Sequence, residues 1–170
     1  RNQQEIHSMV HYLFETGSKY EGPFGKAPKG DVSAGADLVR GLGCQGCHML
    51  EDEDYPDTLD LQVLRRQQGP QLSGLGSKTT ATWIYNWRKD PKSYHAETRM
   101  PNLRLSDQEA ADVAAYLVSR KATDFDATAV PDVNEGVLRE VARDFMAKNM
   151  TQAQTDRKLQ AMSTDELHMY

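Results

Sequence analysis

The chain has 170 residues, 38 % of them hydrophobic, with 20 Lys and Arg against 25 Asp and Glu. That length suits one domain with flanking pieces, and the mean hydropathy of −0.70 is polar without the apolar poverty of a wholly disordered chain. The net charge of −5 carries no global nucleic-acid signature, and no apolar run approaches the ~20 residues that span a bilayer.

Asn2 and Glu5 pair as N-cap and N3, with Ile6, Met9, Val10 and Leu13 on one face, which predicts a helix over 2–16. Residues 17–30, rich in Gly, Pro and Lys, read as a linker. A second helix is expected from about Val32 to Leu42, capped by Asp31 or Ser33, running into Cys44-Gln45-Gly46-Cys47-His48. Residues 49–82 read as mostly irregular. They hold five acids and no base between Glu51 and Asp57, a short helix near Leu59–Arg66, and the turn-rich GPQLSGLGSK.

Thr82 to Lys89 predicts a short helix that stops before Pro91, followed by a loop through DPKSYHAETRMPN. Ser106 and Glu109 form a capping box that opens a helix to about Lys121, burying Ala110, Val113, Ala114 and Leu117. A further amphipathic helix is expected over roughly Val133 to Met150, its stripe made by Val133, Val137, Val141 and Phe145 with Leu138. Asn149 or Thr151 ends or restarts it. The cap chemistry recurs at Ser163–Glu166. Two readings of that recurrence stand: capping boxes are common, or the chain is a slice of a tandem array in which residues 2–16 close a preceding unit. The expected divisions are thus a helix at 1–16, a linker at 17–30, a domain at 31–122 and a helical extension at 123–170.

The chemistry is concentrated in CxxCH. Two thiols three residues apart lie on one side of a helical turn and add across the two vinyl groups of a haem, placing the next residue, His48, under the iron. From the chain's own Cys and His frequencies, a chance occurrence is on the order of one in a thousand. Both cysteines sit in the motif, so none remains for a structural disulfide. A dithiol redox pair or half a zinc site is the rival. No second CxxC completes a zinc ribbon, and the helix-and-loop surroundings lack the βαβ pattern of thioredoxin-like motifs.

From Asp31 to about Lys121 the chain resembles the class I cytochrome c family. A helix leads into CxxCH, Gly69-Pro70 follows, then a helix with Trp83 and Trp87, Arg99-Met100-Pro101 in a loop, and a capped terminal helix carrying Tyr116. The resemblance implies an all-α fold and one haem c attached through Cys44 and Cys47. It implies His48 as proximal iron ligand, the Pro70 carbonyl as acceptor for the second imidazole nitrogen, and Met100 as sixth ligand. His95, in the same loop, is the rival to Met100. Trp83 and Trp87 are expected in the haem pocket, with an indole N–H on a propionate or in plain core packing. Arg99 is either a propionate partner or solvated.

With both axial positions filled, one-electron transfer follows, and the domain is not itself an enzyme. A haem enzyme or gas sensor would require Met100 to be absent from the iron or displaceable. Haem attachment in c-type cytochromes takes place outside the cytoplasmic membrane, so an upstream, removed export signal and a periplasmic or similar location are expected. Expected partners are redox donor and acceptor proteins and, in a tandem array, further haem domains of the same parent chain. The six bases between Lys78 and Arg104, against Asp90 and Glu97, suggest either a docking face or ordinary solvated charge. His7 and His11, one helical turn apart, have metal-binding spacing but no third ligand in sight.

Overall fold

A computed structural model describes residues 2–51, 61 and 68–169. The predicted acidic stretch beyond Glu51 and the predicted helix near Leu59–Arg66 lie outside the described residues, apart from Leu61. Among the described residues the chain is all α-helical: α1 (Asn2–Thr16), α2 (Val32–Gly41), α3 (Ala81–Lys89), α4 (Asp107–Ser119), α5 (Thr123–Ala127), α6 (Glu135–Met146), α7 (Gln152–Ala161) and α8 (Thr164–His168). Short 3-10 turns occupy Cys44–Gly46 and Pro91–Ser93.

The chain forms two compact units. One comprises residues 21–129 and the other joins residues 1–20 to 130–170. The segment expected as a linker therefore divides at Tyr20/Glu21, and its second half is part of the larger unit. Asn86, fully buried, explains why: its side chain accepts from Phe24 N at 2.7 Å and donates to Gly25 O at 2.8 Å. Gln108 Nε2 adds a bond to Lys29 O at 3.1 Å.

In the larger unit, α2 and α3 both pack on α4. Each helix start has a chemical cause. Asp31 accepts from Ala34 N at 2.8 Å, Thr80 from Trp83 N at 3.2 Å, and the Ser106–Glu109 box closes in both directions. The four residues predicted for the inner face of α4, Ala110, Val113, Ala114 and Leu117, are all buried, beside Val39 of α2 and Ile84 and Tyr85 of α3. Gly35 makes the α2–α4 crossing close. A Cβ there would stand 2.0 Å from the Asp112 carbonyl oxygen and 2.8 Å from Tyr116 Cβ. The end of α4 is tied to the turn after Gly74 by Gly76 N to Arg120 O (2.9 Å), Ala122 N to Ser77 Oγ (2.9 Å) and the Lys121 ammonium on Gly76 O.

In the smaller unit, α1, α6, α7 and α8 surround Leu138, Ala142, Met146, Leu159 and Leu167. The inner face of α6 is centred on Leu138, Ala142 and Met146. Of the predicted stripe, Val133 (41 % exposed) lies before the Asn134 cap, outside the helix, and Phe145 (48 %) points outward because the four-residue count drifts off the 3.6-residue period. α1 differs more. Its buried residue is Gln4, bonded to Asp132 O and Asn134 N, whereas Ile6, Met9, Val10 and Leu13 are exposed.

Candidate haem site

The site begins where α2 stops. Gly43 takes a left-handed conformation (φ +73°), a reversal that favours glycine, and the 3-10 turn Cys44–Gly46 follows. Cys47 N and His48 N both donate to Cys44 O, at 3.2 and 3.0 Å. One tight turn thus carries both thiols and the imidazole. Cys44 is half-buried against the core and Cys47 is exposed. Burial pushes the Cys44 thiol pKa up, and the charge of Arg88 partly opposes it.

His48 is buried, and its Nδ1 lies 2.7 Å from Pro70 O. A carbonyl only accepts, so Nδ1 carries the proton and Nε2 keeps its lone pair for a metal. The Gly69-Pro70 turn is itself zipped to the motif by Gly69 N to Cys47 O (2.9 Å) and Leu72 N to Met49 O (2.8 Å). Gly69 lies so close to the ring that a Cβ would meet Cε1 at 2.3 Å and Nδ1 at 2.5 Å.

Met100 is half-buried in the loop between α3 and α4. Trp87 Nε1 donates to its sulfur at 3.2 Å. A thioether sulfur has two lone pairs, so one stays available to a metal. Trp87 stacks on Trp83 (ring centroids 5.5 Å apart, 9° between planes), and Tyr94 closes on both. The helical spacing placed both indoles on one face; it had no means of telling that Trp87, and not Trp83, reaches Met100.

His95, the rival ligand, is exposed, as is Arg99. Lys78, Lys92 and Arg104 are also exposed, but two of the six bases counted as surface charge are not free for docking. Lys89 spans to Leu105 O (2.9 Å) and Asp107 (2.8 Å). Arg88 is only 4 % exposed, and its Nε and Nη2 are buried without a hydrogen-bond partner. Nothing in the one-dimensional pattern sets Arg88 apart from Lys89. In the smaller unit, His7 and His11 meet His168 of α8, with ring centroids 6.5 and 4.9 Å away. Even so, no group of three His, Cys, Asp or Glu side chains among the described residues is arranged to hold a metal ion.

Two thiols on one turn, an imidazole with a free nitrogen, a thioether with a free lone pair and an orphaned buried cation fit a covalently bound haem. An all-α scaffold with that donor set defines a c-type haem protein. Residues 32–121 match the family model described as Cytochrome c, more than half of the chain, and the chain belongs to the cytochrome c family. No curated protein and no solved structure matches it. Its cofactor is haem c, attached through Cys44 and Cys47, and its chemistry is haem-based electron transfer. Among the described residues no helix is long and apolar enough to cross a membrane.

Proposed function

We propose that His48 and Met100 fill both axial positions of the haem iron and that the chain relays single electrons between redox proteins without catalysing a reaction of its own. The observation carrying this reading is the Trp87 indole bonded to the Met100 sulfur at 3.2 Å. Most methionines fill cores; this one sits in a loop, before a proline, with its sulfur oriented by a donor. The haem supplies the redox-active iron; the polypeptide orients its ligands. Pro70 O fixes the His48 tautomer and raises the basicity of Nε2. Trp87 holds the thioether, a soft donor that favours ferrous iron and raises the potential relative to bis-His ligation. A filled coordination sphere leaves electron exchange at the haem edge.

The reading extends to location and partners. Thioether attachment of haem supports a location outside the cytoplasmic membrane, in a periplasm or its equivalent. Lys78, Lys92, Arg99 and Arg104 supply exposed positive charge in the haem unit, suited to fast, salt-sensitive docking of acidic donor and acceptor surfaces, further haem domains of a parent chain among them. Met100→Ala is the test. The haem-loaded variant is expected to lose the far-red absorption band of thioether-ligated ferric haem and to bind carbon monoxide at once when reduced. An unchanged six-coordinate spectrum overturns the ligand assignment.

A further inference from the structure

α1 meets its own unit with polar side chains and leaves its apolar ones in water. Gln4 bonds Asp132 O and Asn134 N, His7 Nε2 lies 2.9 Å from Pro131 O, and Ser8 Oγ lies 3.1 Å from His168 Nδ1. Ile6, Met9, Val10, Tyr12, Leu13 and Phe14 stand between 48 and 82 % exposed. Six such side chains put on the order of 600 Å² of apolar surface on one helix, at the upper end of the largest patch of a typical monomer. That is most of one partner's ~800 Å² share of a standard interface. The helix α4 indicates what covers it. Asn2 and Glu5 correspond to Ser106 and Glu109, and at the same offset the six apolar residues fall on Ala110, Val113, Ala114, Tyr116, Leu117 and Val118. All six of those α4 residues belong to the core of the haem unit, four of them buried and Tyr116 and Val118 packed against it. Position for position, α1 carries the core-facing pattern of a helix that closes a haem unit, with no such unit around it.

We propose that α1 is the closing helix of another cytochrome c unit, carried ahead of Asn2 in a longer parent chain, and that its apolar face is the surface on which that unit's own helices pack. This deepens the partner side of the electron-relay reading and rests on haem attachment, not on Met100 as a ligand. The haem unit of this chain does not supply the cover, because the place against α2 and α3 is taken by α4. Nor does the haem unit of a second copy. Ala110 and Ala114 are both 0 % exposed, and Ile6 and Val10 in their stead would overpack that place. The occupant is thus a unit of the same architecture with smaller or more distant side chains opposite α1. The helix would then serve two units at once, its apolar face in the core of one and Gln4, His7 and Ser8 against the other. No flexible linker separates two units that share a helix, so the spacing between them is fixed by α1 itself.

The test compares the mature protein purified from its source with the haem-loaded 170-residue chain. The mature protein is expected to carry a further CxxCH roughly 60 residues ahead of Asn2, the interval that separates Cys44 from Ser106, and one more covalent haem by mass and haemochrome assay. A mature protein without that upstream motif and haem overturns the proposal. Val10→Asp combined with Leu13→Asp reads the surface itself. In the mature protein the pair should lower the thermal midpoint of the added haem unit, followed by its Soret band, by at least about 10 °C. In the 170-residue chain, where both side chains already face water, every midpoint should stay within about 3 °C of the parent value. An unmoved midpoint in the mature protein overturns the packing of α1. Should the double variant not accumulate, Leu13→Ala replaces it, and a loss confined to the mature protein supports the proposal while equal behaviour in both refutes it. A mature protein that instead dimerises through this face, with dimers abolished by Leu13→Asp, refutes it too. The far-red thioether band of the 170-residue chain is read separately: its absence counts against Met100 and leaves the α1 comparison intact.

Discussion

Gly69→Ala separates two explanations for a glycine before a proline. Gly69 does not have a positive φ; the left-handed glycines of the chain are Gly25, Gly43 and Gly74. The backbone alone would therefore accept alanine, since extended conformations before proline are open to it. The structure supplies a different reason. An added Cβ would sit over the His48 ring, 2.3 Å from Cε1, 2.5 Å from Nδ1 and 2.8 Å from Nε2. Ordinary contact begins near 3.4 Å, so the ring or the turn must retreat by about 1 Å. Neither moves freely. The ring is held by Nδ1 on Pro70 O at 2.7 Å, and Gly69 N by Cys47 O at 2.9 Å. Overpacking of this kind costs about 1–3 kcal/mol. Stranding a buried imidazole N–H costs about 1–3 kcal/mol more. The variant is therefore expected to lose roughly 2–6 kcal/mol of unfolding free energy, with a shifted midpoint potential because the proximal imidazole is displaced. Denaturant unfolding of haem-loaded protein, followed by far-ultraviolet circular dichroism, measures the first effect and spectroelectrochemical titration the second. A variant within about 0.5 kcal/mol of the parent and with the same potential would refute the steric argument and with it the view that the Gly-Pro turn clamps the imidazole.

Two further predictions concern the scaffold. Gly35→Ala pits helix propensity against packing: alanine gains up to about 1 kcal/mol in an open helix, but here its Cβ would meet the Asp112 carbonyl oxygen at 2.0 Å, and backbone cannot yield as a side chain can. A net loss of about 1–3 kcal/mol is expected, whereas Gly41→Ala at the end of the same helix, with nothing within 4 Å of its Cβ, should be neutral or stabilising in the same unfolding assay. In the smaller unit, His168 is buried, and burial first, then the charges of His11 and His7, hold its pKa below the ordinary 6.5. Above about pH 6.5 it is neutral in folded and unfolded chains alike. As pH falls below that value the unfolded chain takes up the proton first, so this unit loses stability through the window between the two pKa values. Protection factors in α1 and α8, with the intrinsic pH dependence of exchange divided out, should fall between about pH 7 and pH 5, and His168→Gln should flatten that slope; an equal slope in both proteins refutes the assignment.

Local chemistry was legible in the sequence wherever it is made by residues near one another along the chain. The caps at Asp31, Ser106 and Ser163 all close as their spacing implied, and the inner face of α4 follows the helical period. The CxxCH turn is closed by two backbone bonds within its own five residues, Cys47 N and His48 N to Cys44 O, so its geometry is nearly contained in its letters. Residue spacing alone missed what is set by partners distant in sequence; the His48–Pro70 bond, 22 residues apart, was expected only from the family resemblance. The apolar side of α1 predicts burial, yet Gln4, His7, Ser8 and His11 make the contacts with Pro131, Asp132, Asn134 and His168. Those bonds span more than a hundred residues, and no periodicity encodes them. The same limit hid Arg88. Its neighbour Lys89 reaches Leu105 O and Asp107 at the surface, and one residue of helical rotation, about 100°, turns Arg88 into the interior. A cationic side chain reads as solvated unless the helix it rides on is known to pack on both sides of it. α3 packs on α4, and the charge that a linear reading assigns to water lies in the interior with two of its nitrogens unpartnered.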